Sequence, residues 1–353
     1  MNNKQLTFAR EYRGYTQTEL AGNINGLSQS NLSKFEKGFG ILSDSVQDRI
    51  IEFLDFPKDF FQRKISNKIE NANYRKRTTP KYLVDAFESR CKVIGYVVDR
   101  FAEDIDWPDF DLVALDVESG HSPENVAKYT RRLLQISDDE PIRDIFTLLE
   151  SHGIIFYELD TNDKFDGVSF ITDQGYPVIV LNINMANDRK RFTIAHELAH
   201  LLMHNENHFP VSDYRDKEKE ANDFASEFLM PASAIRNSLL GLKMNYLSSL
   251  KQYWLTSMSS IIRRARNLKC IDEKRYKNFM IEFSRNGFNK KEPISVPIDS
   301  PDLIILGKEL LENELGYSRF DFMQALSLPF DIIDEILPQR NDRGKVISLK
   351  KAL

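Results

Sequence analysis

Three residues within a span of five, His196, Glu197 and His200, have the types and spacing that do chemistry. Residues four apart on a helix share a face, so both imidazoles can reach one cation. Zinc takes imidazole nitrogen at about 2.0–2.1 Å and keeps an open position when only three protein groups bind it. Glu197 can accept a proton from water that such an ion polarises and then return it to a leaving amine. That combination is suited to metal-assisted peptide hydrolysis. The flanks argue against two stray surface histidines. Ile194, Ala195, Leu198, Ala199, Leu201 and Leu202 make most of this helix apolar, and imidazoles on a largely buried helix need partners.

A third ligand must come from elsewhere. The metzincin pattern would place glycine at 203 and histidine at 206, but these positions are Met203 and Glu206, which excludes that class. Glu218 and Glu220 lie on the next helix. Glu218 and Asn222 are four apart there, so one can bind the ion while the other orients a histidine. Glu220 is the fallback ligand. His204 and His208 continue the helical spacing of His200 and read as internally satisfied or exposed histidines.

Several elements must position these residues. IIFYEL (154–159), GVSFIT (167–172) and PVIVLNI (177–183) are strand-like runs, the third following a turn at Asp173-Gln174-Gly175. The helix bearing His196 begins after an N-cap at Asn187 or Asp188. KEKEANDFASEFLM forms the next helix and stops at Pro231. Upstream, 80–136 reads as helical with a break at Trp107-Pro108. Pro141 opens a short helix, IRDIFTLLESHG, that Gly153 ends. Residues 232–290 are again helical in pattern.

The run Arg191-Phe192-Thr193-Ile194-Ala195-His196-Glu197-Leu198-Ala199-His200-Leu201-Leu202-Met203-His204 resembles the ImmA/IrrE family of metallo-endopeptidases. So do Glu218-Lys219-Glu220-Ala221-Asn222-Asp223-Phe224-Ala225 with Leu229-Met230-Pro231, and the strand pieces Asp166-Gly167 and Val178-Ile179-Val180-Leu181-Asn182. The likeness is close over about 150–230 and looser to about 290. It implies a zincin-like domain in which His196, His200 and Glu218 hold Zn2+ and Glu197 is the catalytic base. It also implies protein substrates of the repressor or antitoxin-like kind, often encoded beside the peptidase.

The first sixty residues present a different chemistry. Thr16-Gln17-Thr18-Glu19-Leu20-Ala21 falls on one short helix and Ser28 to Gly38 on the next. Leu20, Ala21, Ile24, Leu27, Leu32 and Phe35 have the spacing to pack the two across a turn. Ser28 would cap the second helix, leaving Gln29, Ser30, Asn31, Ser33 and Lys34 outward. Gln and Asn can read adenine edges, and Ser or Lys can meet phosphates or bases. The segment resembles the XRE-type helix-turn-helix of phage repressors, departing from it in the two glycines of Gly22-Asn23-Ile24-Asn25-Gly26. The resemblance implies contact with a double-stranded DNA operator through Gln17, Ser28, Gln29, Ser30, Asn31, Ser33 and Lys34, and a homodimer on a palindromic site.

Composition fits this division. The 353 residues are 41% hydrophobic and 29% charged, without an apolar run long enough to span a membrane. Two cysteines cannot build a disulfide framework, and the N-terminus lacks a signal-peptide pattern, so a cytoplasmic protein is expected. The net charge of −5 argues against nucleic acid coating the whole surface, yet residues 1–81 hold 14 Lys/Arg against 9 Asp/Glu. Arg75-Lys76-Arg77 is a lone basic run there. The expected fold is mainly α with a small α+β domain. Residues 1–63 form an N-terminal helix-turn-helix bundle of about five helices, 64–81 a linker, and 82–290 the metallopeptidase domain. Residues 291–353 form a helical C-terminal region of no assigned role. The expected function is DNA-binding regulation joined to zinc-dependent cleavage of a protein. The alternative is a non-proteolytic regulator whose metal fold is a sensor or dimerisation scaffold.

Overall fold

In a computed structural model that describes residues 1–62, 81–161, 165–206 and 208–337, the N-terminal pattern of polar caps and spaced apolar residues folds into α1 (Asn3–Tyr12), α2 (Gln17–Asn23), α3 (Gln29–Glu36) and α4 (Asp44–Leu54). Thr16 and Glu19 close a reciprocal capping box on α2, and Ser28 accepts from the Asn31 amide to cap α3. Leu20, Ala21, Ile24, Leu27, Leu32 and Phe35 are all buried, and α3 packs on both α1 and α2. The described segment has four α-helices rather than five. Its last piece, Lys58–Gln62, closes as a 3-10 turn. That turn seats Phe60 in an aromatic cluster, with ring centroids 5.7 Å from Phe8 and 4.5 Å from Phe56.

Next come α5 (Lys81–Phe101), α6 (Pro123–Leu133) and α7 (Ile145–Glu150). The short helix expected from Pro141 starts four residues later. Its first amides find their acceptor far along the chain, where the Asp299 carboxylate takes the Phe146 and Thr147 N–H groups at 3.2 and 2.7 Å. Gly153, at φ +82, ends the segment; a Cβ there would lie 2.5 Å from the Phe110 backbone nitrogen.

Three strands follow: β1 (Ile155–Leu159), β2 (Gly167–Ile171) and β3 (Pro177–Asn182). Their order is β1-β3-β2, with β3 parallel to β1 and antiparallel to β2. The register puts Phe156, Ile179 and Ser169 in one row and Leu181 opposite Gly167. Alternation places these side chains on one face.

Against β2 and β3 packs α8 (Asn187–Met203), which in turn packs on α9 (Lys217–Leu229). A Cβ on Gly167 would meet Thr193 Cγ2 at 2.8 Å, so the helix comes closer to β2 there than a side chain would permit. The N-cap of α8 is Ala186, not Asn187 or Asp188. Tertiary partners claim both polar side chains instead: Asn187 donates to the Val296 carbonyl, and Asp188 is ion-paired with buried Lys251. The second helix ends as expected, at Leu229 before Pro231. It is followed by α10 (Ala232–Leu239), α11 (Leu247–Trp254), α12 (Met258–Asn267) and α13 (Glu273–Arg285), whose apolar faces join the core of α8 and α9.

The chain continues with α14 (Leu303–Glu314), α15 (Arg319–Leu326) and α16 (Phe330–Ile336). Among the described residues, contacts divide the chain into one unit drawn from 1–62, 100–105 and 302–337 and a second from 81–99, 106–161, 165–206 and 208–301. Within the first unit, Tyr12 donates to Glu335 at 3.1 Å and Arg13 pairs with Asp331. The last described helix, α16, is thereby tied to α1. The linker expected at 64–81, with Arg75-Lys76-Arg77, lies outside the described residues except for Lys81, which opens α5. No described helix is long and apolar enough to cross a membrane.

Candidate metal centre

The helix α8 is buried on nearly every side. Ile194, Ala195, Leu198, Ala199 and Leu202 are fully enclosed, each large aliphatic side chain contributing about 1.5–3 kcal/mol. Its polar residues are buried as well, and a buried polar group without a partner is costly. Most are met by a neighbour, although Arg191 keeps Nε and Nη2 enclosed without a hydrogen-bond partner among the described residues. Lys190 pairs with Glu158 of β1, and Arg191 donates to the Arg143 carbonyl. Glu197, only 1% exposed, accepts from the Ser169 hydroxyl of β2 at 2.8 Å.

The two imidazoles turn their Nε2 atoms towards each other at 3.1 Å, as one helical turn allows. From α9, Glu218 reaches the same point. Its Oε2 lies 3.4 Å from His196 Nε2 and its Oε1 3.5 Å from His200 Nε2. Four residues on, the Asn222 side chain hydrogen-bonds the His196 ring. A tetrahedral ion with ligands at about 2.0–2.1 Å would hold its donors roughly 3.3 Å apart. The observed spacings bracket that edge length, and two nitrogens with one carboxylate are a donor set that suits zinc. The residues fit the ion.

Electrostatics agrees with a cation-seeking site. The adjacent imidazoles of His196 and then His200 hold the Glu218 carboxyl well below the usual range. Burial opposes protonation of His196, but the Glu218 hydrogen bond and the Glu197 charge outweigh it and raise its pKa.

Glu220, the fallback ligand, is engaged elsewhere. Its Oε2 accepts from Arg215 Nη2 at 2.6 Å and meets His204 Nε2 at 2.9 Å. These two partners, against the opposing effect of burial, lower the Glu220 pKa. His204 is buried and satisfied, and its other nitrogen, Nδ1, lies 2.9 Å from His200 Nδ1. Burial first, and then His200, push the His204 pKa down to about 4. His208 is exposed.

Sequence reasoning did not single out Ser169 or Arg215. A small hydroxyl inside the apolar strand GVSFI was a usable signal for the first. Arg215 sits in the connection between α8 and α9, where no periodicity marks it.

The residues named for DNA contact gather on α3 and the end of α2 that faces it. Ser28, Gln29, Ser30, Asn31 and Lys34 are exposed, while Ser33 and Gln17 are half-buried. Ser28 Oγ is engaged as the cap of α3. Gln17 Oε1 accepts from Gln29 Nε2 at 3.0 Å, and Gln17 Nε2 donates to Glu36 at 2.7 Å. Glu36 is in turn paired with Arg10 of α1.

Residues 149–266 match the Peptidase_M78 family model, described as the IrrE N-terminal-like domain. No curated protein matches the chain. The matched stretch is about a third of the chain and takes in the sheet, α8 and α9. It supports the ImmA/IrrE resemblance, and with it a zincin-like metallopeptidase domain whose cofactor is a metal ion, typically zinc. The N-terminal helices lie outside it.

Proposed function

We propose that the chain is a zinc-dependent endopeptidase joined to a DNA-binding regulatory module, with a partner repressor or antitoxin-like regulator as its protein substrate. The observation that carries the enzymatic reading is the convergence of His196 and His200 of α8 with Glu218 of α9, their ligand atoms within 4.8 Å of one another, beside buried Glu197. When bound, zinc would supply Lewis-acid polarisation of a water molecule and of the scissile carbonyl. His196, His200 and Glu218 would hold it, with Asn222 orienting the His196 ring. Ser169 fixes Glu197 through Oε2, which leaves Oε1 to take up a proton and deliver it to the leaving nitrogen. Among the described residues β2 is an outer strand of its sheet, and an extended peptide can add along such an edge beside Ser169.

The DNA-binding part of this reading is supported by the exposed Gln29, Ser30, Asn31 and Lys34 on a capped helix that packs on α2. The supporting chemistry is side-chain type and exposure.

The decisive test incubates the full chain with the product of the adjacent gene and compares it with Glu197→Gln. The variant is expected to keep its zinc and to lose cleavage by about 10²–10⁴-fold. Equal cleavage by the variant would remove Glu197 from the reaction. Absence of zinc in folded wild-type protein would remove the peptidase reading altogether.

A further inference from the structure

A second chain of polar groups starts on the far side of His200. Its Nδ1 lies 2.9 Å from His204 Nδ1, His204 Nε2 lies 2.9 Å from Glu220 Oε2, and Arg215 grips both Glu220 oxygens at 3.2 and 2.6 Å. His204 is 1% exposed and the Arg215 side chain 4% exposed, so water does not substitute for these contacts. We propose that His204, Glu220 and Arg215 are positioning residues that hold His200 with its proton on Nδ1 and its Nε2 lone pair directed at the metal position. This rests on the metallopeptidase reading above.

The polarity of the chain follows from the atoms. Between two ring nitrogens 2.9 Å apart, one donates and the other accepts. Glu220, ion-paired with Arg215, is an acceptor only, so His204 Nε2 must be the donor to it. A His204 proton on Nδ1 instead would set the Nε2 lone pair against a carboxylate oxygen at hydrogen-bond distance. Protonating both nitrogens would add a second buried cation to a carboxylate that Arg215 already neutralises. Neutral His204 with its proton on Nε2 therefore accepts at Nδ1, and His200 donates from Nδ1. The Nε2 of His200 is left unprotonated where it faces His196 and Glu218. Partners of this kind fix the tautomer and ring plane of a ligating histidine.

The test uses zinc itself and the full chain. With only six histidines, ¹⁵N-histidine labelling resolves the tautomers in zinc-free folded protein. His200 is expected with its proton on Nδ1 and His204 with its proton on Nε2. Competition with a chromophoric chelator then measures zinc affinity. His204→Leu, which removes the acceptor, should weaken it about 10–100-fold. His204→Asn returns an acceptor near the former Nδ1 position and should recover most of the loss, which a merely space-filling role would not. His200 protonated at Nε2 in wild type, or a folded His204→Leu that binds zinc as tightly as wild type, overturns the proposal while leaving the metal reading intact. Wild-type protein that binds no zinc overturns both. If His204→Leu does not fold, the wild-type tautomers decide.

Discussion

The polar residues around the HExxH stretch of α8 and those of α3 differ in surroundings: one set is buried and the other faces water. His196, Glu197, His200 and His204 are 9, 1, 2 and 1% exposed, and each has a protein partner. Gln29, Ser30, Asn31 and Lys34 stand in solvent. A buried polar group left unpaired costs about 1–3 kcal/mol, so enclosed groups must be arranged with respect to one another. That mutual arrangement carries chemistry that geometry can reveal. On α3, Gln29 apart, the exposed side chains need no mutual arrangement, and only their types point to a ligand.

The strongest way to break this comparison is to remove a converging nitrogen. His196→Ala is expected to reduce zinc to background by metal analysis of the purified, folded protein; a full complement of zinc would undo the metal assignment. A second buried polar cluster extends the test to stability. Lys251 pairs with Asp188 and Glu292, and Glu292 also accepts from the Met258 and Ser259 amides at the start of α12. Lys251→Ala would strand two carboxylates, and urea unfolding should register a loss of about 3–5 kcal/mol. A loss below the range of ordinary surface changes would mean that burial is not what ties these groups together.

The exposed face should behave in the opposite way. Asn31→Ala with Lys34→Ala should leave zinc content unchanged and stability within about 0.5 kcal/mol. Operator affinity should fall, and the slope of log affinity against log salt should shrink by about 1 as one phosphate contact goes. Unchanged DNA affinity at fixed salt would show that α3 is not the reader.

The smallest effect sharpens the comparison within the buried class. Asp99 Oδ1 is enclosed without a hydrogen-bond partner, and burial raises the Asp99 pKa to about 6, against hydrogen bonds from Thr172 and the Gln174 amide. An unfolded aspartate titrates near about 3.9, so folding favours the protonated form between these values. Stability from this group is present below the unfolded pKa and lost as pH rises through about 6. Asp99→Asn keeps an acceptor without the charge. Its melting temperature should exceed wild type above pH 6 and converge with it below about 4. A constant offset across that range would assign the effect to packing.

The residues show how far local rules reach. The strand-like apolar runs, the Ser28 cap and the placement of His196 and His200 on one face all follow from residue type and from helical or extended spacing. These are properties of neighbouring positions and are legible in any single chain. The start of α8 was misjudged because Asn187 and Asp188 look like caps locally, yet Val296 and Lys251 claim them from more than sixty residues away.

By itself, then, the sequence determined that two imidazoles and a carboxylate share one apolar helix beside a three-stranded sheet, and that polar side chains line a short N-terminal helix. Spacing alone left Glu218 and Glu220 open, and the family resemblance named Glu218; the tertiary structure decided how Glu218 turns to His196 and His200, that Glu220 and Arg215 close on His204, and that α16 is tied to α1. Both glutamates lie on the same helix, two residues and therefore about 200° apart. Which of them faces α8 depends on how the two helices are rotated when they pack, and that rotation is set by the whole core.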